Sequence, residues 1–384
     1  MLFVTCLDAY FTNYFLKFFV KHMDELLVAC LLVYVAININ YILSHKRKLF
    51  FVFSLFLLVG FFSSFIFHYQ PLIAVIIDST LIVSRFMVGY LSVYVYTSKN
   101  SKKISVYLVN ISKIITIILF VLLIHDLFFS SFFPKADFRY FTRSIQLMFP
   151  HPTYLAAACV TLLIFMGYKS NNNSLIKYMV MLSFIIFMTF RSKAIGFLFV
   201  YWVLFLFIFV FKSKNVKIIA LLCGLSAVYL VREQLSDYYF TNGYSPRSIL
   251  LQDSVSMLKN HFPLGTGFAT FGSSVAVDYY SPLYVSLGYL SNWGMSKEYS
   301  IFLNDSFWPE IIAQFGIVGL GLFIYIIILF FKIATKRENR NTYSSFAMTM
   351  TLVYLLITSL AESSFFNPSS FLLFMLFAVY ENKS

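Results

Sequence analysis

Apolar residues in this chain run in long, unbroken stretches separated by short polar or basic ones. A helix that crosses a bilayer needs about 20 mostly apolar residues, because 1.5 Å of rise per residue must cover about 30 Å. Stretches of this kind fall at roughly 26–43, 49–67, 71–96, 104–124, 153–168, 175–190, 194–211, 216–231, 307–331, 345–360 and 365–380. These eleven predict an all-α fold, a polytopic integral membrane helix bundle. Residues 1–20 are also apolar but hold Asp8, Asn13 and Lys17. They form either a twelfth span or an interfacial helix. They lack the basic start and small-residue cleavage site of a signal peptide. The apolar runs do not alternate with polar positions, which argues against a membrane β-barrel.

Basic residues in the short connections orient the bundle. Lys46, Arg47 and Lys48 follow the first span, and Lys99, Lys102 and Lys103 follow the third. Alternate connections further on hold Lys169 and Lys177, then Lys212, Lys214 and Lys217, then Lys332, Lys336, Arg337 and Arg340, with Lys383 at the end. One side thus collects sixteen basic residues; the short loops of the other hold five, Lys135, Arg139, Arg143, Arg191 and Lys193. Cytoplasmic loops carry the excess of Lys and Arg. The alternation therefore puts the C-terminus in the cytoplasm and residues 232–306 outside it. Three regions result: an N-terminal transmembrane bundle over 1–231 with about eight spans, a large extracytoplasmic loop over 232–306, and a C-terminal set of about three spans over 307–384.

Composition agrees with a lipid-solvated chain. Of 384 residues, 60% are hydrophobic and 12% charged, with 48 Phe and 27 Tyr. A soluble domain carries about 45–50% apolar and about 25% charged residues. This excludes a cytosolic enzyme, a secreted disulfide scaffold and a disordered chain. The net charge of +13 is explained by orientation in a membrane, so no nucleic acid is expected as a partner. Cys6, Cys30, Cys159 and Cys223 lie in or beside apolar runs without a CxxC or Cys/His pattern. They imply neither a disulfide nor a metal, and no cofactor motif is present.

The candidate chemistry gathers on the extracytoplasmic side, where ten acids face nine bases. Near balance of sign there fits a large polar substrate. Gly265-Thr266-Gly267 has Thr270 in place of a third glycine and is no dinucleotide loop. Within the spans, Asp78 and Arg85 are seven residues apart, too far for a direct i,i+4 pair. Each is expected to pair with another helix; a proton relay is the sharper reading.

Four stretches in order are more specific. They are His151-Pro152-Thr153-Tyr154-Leu155-Ala156, Arg191-Ser192-Lys193-Ala194, Arg247 followed by Pro263-Leu264-Gly265-Thr266-Gly267, and Asn304-Asp305-Ser306 leading to Gly316 and Gly319. Together they resemble the O-antigen polymerase and ligase family of bacterial polysaccharide assembly, over residues 139–331 and in overall topology. The resemblance implies glycosyl transfer on the outer face of the bacterial cytoplasmic (inner) membrane. Its substrate would be an oligosaccharide on undecaprenyl diphosphate. Implied partners are the lipid bilayer, a chain-length regulator and a flippase.

Carried onto this chain, the resemblance makes Arg247 and Asp305 the catalytic pair, with Asp305 activating the acceptor hydroxyl. Arg191, Lys193, Arg143 and His151 would bind substrate, and Gly265 and Gly267 would let backbone approach a sugar or phosphate. Lys193 stands where the family has Arg, and Asp305 where a ligase has His. The second departure points to a polymerase. The chemistry is consistent: a guanidinium gives bidentate, permanently charged donors to a diphosphate, and a carboxylate can take a hydroxyl proton. With no metal motif, Arg and Lys would take a divalent ion's place.

Each residue has a plainer alternative. Asp305 could cap the following helix, Gly265 and Gly267 could serve turns, and Arg191 and Lys193 could snorkel to the interface. At the level of function, a ligase and a lipid-linked oligosaccharide flippase or transporter are the alternatives. A transporter should show broken helices in a repeat, and none is visible in the sequence.

Overall fold

The computed structural model describes residues 27–129, 133, 138–139, 142–169, 173–212, 245–336 and 342–382. The expected span at 216–231, the ambiguous segment 1–20, Cys6 and Cys223 lie outside the described residues. What is described is a multi-pass membrane helix bundle. Its only sheet among the described residues is a short antiparallel ribbon, β1 (Phe138–Arg139) with β2 (Thr142–Arg143).

The first helices are α1 (Leu27–Ile37) and α2 (Ile39–Phe67). The sequence predicts a break at the basic cluster 45–48. The structure puts a turn at Asn38 and keeps only a kink there, at Lys46 (φ −127°). Helix α3 (Leu72–Ile82) runs through a π-helical segment (Val83–Val88) into α4 (Gly89–Phe128). The expected cytoplasmic turn at Lys99–Lys103 is not a loop: α4 is helical for 40 residues, about 60 Å at 1.5 Å per residue. No glycine or proline stands between Gly89 and Pro134, so nothing local breaks the helix. Two stretches of this rod, Leu72–Lys99 and Tyr107–Phe128, each have the length and apolarity of a span.

There follow α5 (Pro152–Tyr168), α6 (Ile176–Met188), α7 (Ser192–Phe205, with a π-helical end, Leu206–Val210), α8 (Pro246–Asn260), α9 (Ser274–Asp278) and α10 (Pro282–Ser286). The chain ends with α11 (Phe307–Thr335), α12 (Thr342–Ser359) and α13 (Pro368–Glu381). Among the described residues five helical stretches are long and apolar enough to span: Ile39–Phe67, Leu72–Lys99, Tyr107–Phe128, Ser192–Val210 and Phe307–Thr335. The runs expected at 153–168, 175–190 and 365–380 form shorter apolar helices. Proline opens the first and last of these, at the position where its missing N–H costs nothing.

α13 packs on α4, α11 on α2, α5 on α6, and α12 between α11 and α13. The interior is dense with phenylalanine. Phe86 on the π-helical segment meets Phe53, Phe323, Phe330 and Phe374 with ring centroids 4.7–5.8 Å apart. Outward positions such as Phe51, Leu58, Phe62, Ile114 and Val121 stay exposed, the apolar surface a lipid-facing helix presents. At one end Lys46 pairs with Glu381, which also accepts from the Tyr90 hydroxyl at 2.6 Å.

At the other end, residues 245–306 are more than a polar loop. Leu250, Met257, Phe271, Tyr284, Tyr289, Met295 and Leu303 bury a core of their own against Ala313 of α11. Pro263–Phe271 threads into the bundle beside α11, which is broken at Gly316 (φ 61°, ψ −161°). The N–H of Thr266 donates to the Ala313 carbonyl (2.8 Å), that of Gly267 to Gln314 (2.9 Å), and that of Val318 to Pro263 (3.3 Å). The broken helix exchanges part of its own ladder for a strand-like one, so its buried backbone groups stay satisfied.

Candidate functional site

Arg247 lies in the first turn of α8, whose start is set by Ser245 at the N-cap and Pro246 at the first helical position. A cation there opposes the helix dipole, so helix stability does not explain it. Asp305 supplies the counter-charge: the Arg247 guanidinium pairs with the Asp305 carboxylate. It also donates from Nη2 to the Ala361 carbonyl at 3.3 Å. Asp305 ends a turn in which its N–H donates to Phe302 (3.2 Å), directly before α11. The N-cap of α11 is Ser306, and it makes no side-chain cap. The capping alternative for Asp305 is therefore overturned, because its carboxylate is turned to Arg247.

A second pair stands beside the first. Lys193 Nζ is 2.9 Å from Glu362 Oε2. The Trp308 indole donates to Ser359 at 3.1 Å, holding the end of α12, and so Ala361 and Glu362, against the start of α11. Burial raises the Asp305 pKa above the ordinary carboxyl value; the charges of Arg247 and Lys193 oppose the rise, and that of Glu362 adds to it. These interactions place Arg247, Asp305, Lys193 and Glu362, from four separate segments, at one end of the bundle.

Arg191, two residues before Lys193, is buried, with Nη2 3.1 Å from His151 Nε2. His151 is the N-cap of α5, its Nδ1 3.3 Å from the Thr153 N–H. A neutral imidazole has one bare nitrogen; Arg191, which only donates, makes the shorter contact. Interfacial snorkelling does not describe a buried arginine held this way. Arg143 is exposed on β2, and among the described residues it joins no hydrogen bond or ion pair with the cluster.

Gly265 and Gly267, the positions where the sequence lets backbone come close to a sugar or phosphate, are brought against the chain's own backbone. With φ of 80°, a Cβ on Gly265 would stand 2.6 Å from the Ala313 carbonyl oxygen. With φ of 92°, one on Gly267 would stand 2.6 Å from the Ser64 nitrogen. Both positions require glycine for conformation and for space. The same inserted segment is pinned by Ser64, whose hydroxyl accepts from the Phe268 N–H at 2.9 Å, and by Gln70, which donates to the Ala269 carbonyl at 2.8 Å.

A polar cavity of about 60 Å³ is lined by Asp78, Arg85, Ser273, Asn304, Glu310 and Ser363 among others. Asp78 Oδ2 accepts from the Ala269 N–H at 2.6 Å, and Arg85 donates to the Phe366 carbonyl at 3.0 Å. Each thus meets another segment, as their seven-residue spacing predicts. Glu310 accepts from Ser363 at 2.7 Å. Glu310 and Glu362 are two of the ten acids on the extracytoplasmic side, and the resemblance assigns neither a role. A carboxylate inside an apolar run was the signal for Glu310. Glu362 carries none until folding sets it beside Lys193. Among the described residues no three His, Cys, Asp or Glu side chains form a metal-binding group.

Comparison with models of known protein families finds no family that matches this chain, and no curated protein matches it.

Proposed function

We propose that this protein is a membrane glycosyltransferase that polymerises undecaprenyl-diphosphate-linked oligosaccharide units into O-antigen or capsular polysaccharide. Its work would be done at the outer face of a bacterial cytoplasmic membrane. The observation that carries the reading is the Arg247–Asp305 pair, formed across 58 residues of sequence. A second cation, Lys193, and a second carboxylate, Glu362, lie beside it.

In this scheme the resting pair is exchanged on binding. The diphosphate takes the Arg247 guanidinium, for which it is a bidentate acceptor, and Asp305 is released. The acceptor hydroxyl oxygen attacks the anomeric carbon of the lipid-linked sugar while its proton passes to the Asp305 carboxylate. The bond from that carbon to the diphosphate oxygen breaks, and the carrier diphosphate leaves with the electron pair, its charge held by Arg247 and Lys193. The partial burial of Asp305 raises its proton affinity in the direction a base requires.

Deletion and complementation test the scheme. A deletion strain should keep surface glycan of one repeat and lose long chains. Arg247→Ala and Asp305→Ala should each fail to restore them at normal protein level. Full-length chains from both variants would refute the assignment.

A second reading, a carrier for lipid-linked sugar, draws on the break of α11 at Gly316 and the buried charges Asp78 and Glu310, since carriers build their sites on interrupted helices. Its deletion would leave repeat units stranded on the cytoplasmic face, with none on the surface.

A further inference from the structure

The cavity lined by Asp78, Arg85, Glu310 and Ser363 has no part in the chemistry proposed above. Asp78 and Glu310, 2% and 1% exposed, line it together. Asp78 comes from α3, Glu310 from the first turns of α11, and both belong to helices of membrane-spanning length. The titratable and charged groups that face them are few. Arg85, from the π-helical segment, lies near both carboxyls, which also feel each other. The Tyr284 phenol, held by the Gly272 N–H at 2.8 Å, is near both. Tyr154 faces Arg85 from α5. The remaining neighbours are neutral: Ser273 and Gln314 at Asp78, Ser363 at Glu310.

Charge cannot balance with these groups alone. Two ionised carboxyls against one guanidinium leave a net negative charge away from bulk water, which membrane proteins avoid by pairing or neutralisation. Gln314, fully buried beside Asp78, is neutral and donates through Nε2 to the Phe271 carbonyl at 2.7 Å, so it adds no compensating charge. About 60 Å³ is room for a few water molecules, through which a proton can be delivered.

We propose that the Asp78–Glu310 cavity is a proton-binding site, in which the two carboxyls share one exchangeable proton and Arg85 neutralises the remaining charge. Titration then belongs to the pair, as for any two strongly coupled acids. The proposal does not depend on the glycosyl-transfer reading.

The test is infrared difference spectroscopy of the full chain in lipid nanodiscs near neutral pH, with exchange from H₂O to D₂O. The wild type should show a protonated-carboxyl stretch that shifts in D₂O. Asp78→Asn and Glu310→Gln should each abolish it, because either change leaves one carboxylate opposite Arg85 and removes the need for a proton. Persistence of the band in either variant overturns the proposal, and so does its absence from the wild type. Spectra in choline chloride and in sodium chloride separate a proton from a metal cation. A band present in choline and lost on adding sodium would assign the site to a monovalent cation and overturn the proton. Where a variant does not fold, the wild-type spectrum in the two salts decides.

Discussion

Replacing glycine by alanine at three positions separates two costs that usually arrive together. At Gly321, inside α11, φ is ordinary and a Cβ would meet nothing within 4 Å. Alanine there removes the backbone entropy of a helical glycine and should be neutral or stabilise by up to about 1 kcal/mol. At Gly288, φ is 75° but the space is open. Only the left-handed strain of a residue with a Cβ applies, about 1–2 kcal/mol. At Gly265, φ is 80° and the Cβ would press on the Ala313 oxygen and the Gln314 carbonyl carbon at 2.6 and 2.8 Å. Both are backbone atoms that cannot swing aside. Strain of about 1–2 kcal/mol and overpacking of about 1–3 kcal/mol add to roughly 2–5 kcal/mol. The hydrogen bonds from Thr266 and Gly267 to α11 are placed at risk as well. Thermal unfolding in detergent, followed by tryptophan fluorescence and monodispersity, should rank the variants Gly321→Ala, Gly288→Ala, Gly265→Ala in falling stability. A Gly265→Ala protein as stable as Gly288→Ala would show that Pro263–Phe271 does not lie against α11.

Three further outcomes follow from the geometry. Burial raises the Asp253 pKa, opposed by the hydrogen bond from Tyr289. The folded state then binds that proton more tightly than the unfolded one, so the stabilisation is complete below the ordinary Asp value and is lost as pH rises through the folded value. Asp253→Asn keeps an acceptor for Tyr289, so its stability relative to wild type should improve as pH rises; a pH-independent difference would contradict this. Exchanging the partners, Arg247→Asp with Asp305→Arg, should fold better than Arg247→Asp alone, in thermal melts, yet restore no long chains in cells. Long chains from the exchanged protein would mean that the pair serves structure only. Asp278, the last residue of α9 in the segment before α11, and Lys336, just past the end of α11, are both exposed and can be replaced by cysteine. An impermeant maleimide applied to spheroplasts should label the first and spare the second, and the reverse would invert the assigned orientation.

The apolar runs made the bundle legible because lipid demands continuous stretches of a set length. Its interruptions were harder to read. The basic cluster after the first span does mark a kink, at Lys46, but the turn itself falls at Asn38. Lys99–Lys103 looks like a loop by charge, yet α4 continues through it because no residue there disfavours a helix. The break in α11 could not be anticipated from Gly316 alone, since glycine also serves close helix packing. It depends on a segment some 50 residues earlier in the chain. At the site, Arg247 and Asp305 were recognisable one at a time from the ordered motifs. Their meeting is a tertiary fact. Gly265 and Gly267 are ambiguous for a related reason: a positive-φ glycine shows that something comes close, and the atoms a Cβ would meet here are the protein's own.

The stitching of Pro263–Phe271 to α11 also constrains how the molecule is built. That segment leaves the ribosome before its docking partner exists, and its Thr266 and Gly267 amides find their acceptors only after α11 has been delivered to the bilayer. Until then Phe268 lacks Phe315, the α11 ring it packs against in the folded protein. Completion of this end of the bundle is therefore among the last steps of biogenesis, and a chain halted before residue 305 would carry Arg247 without the carboxylate that balances it.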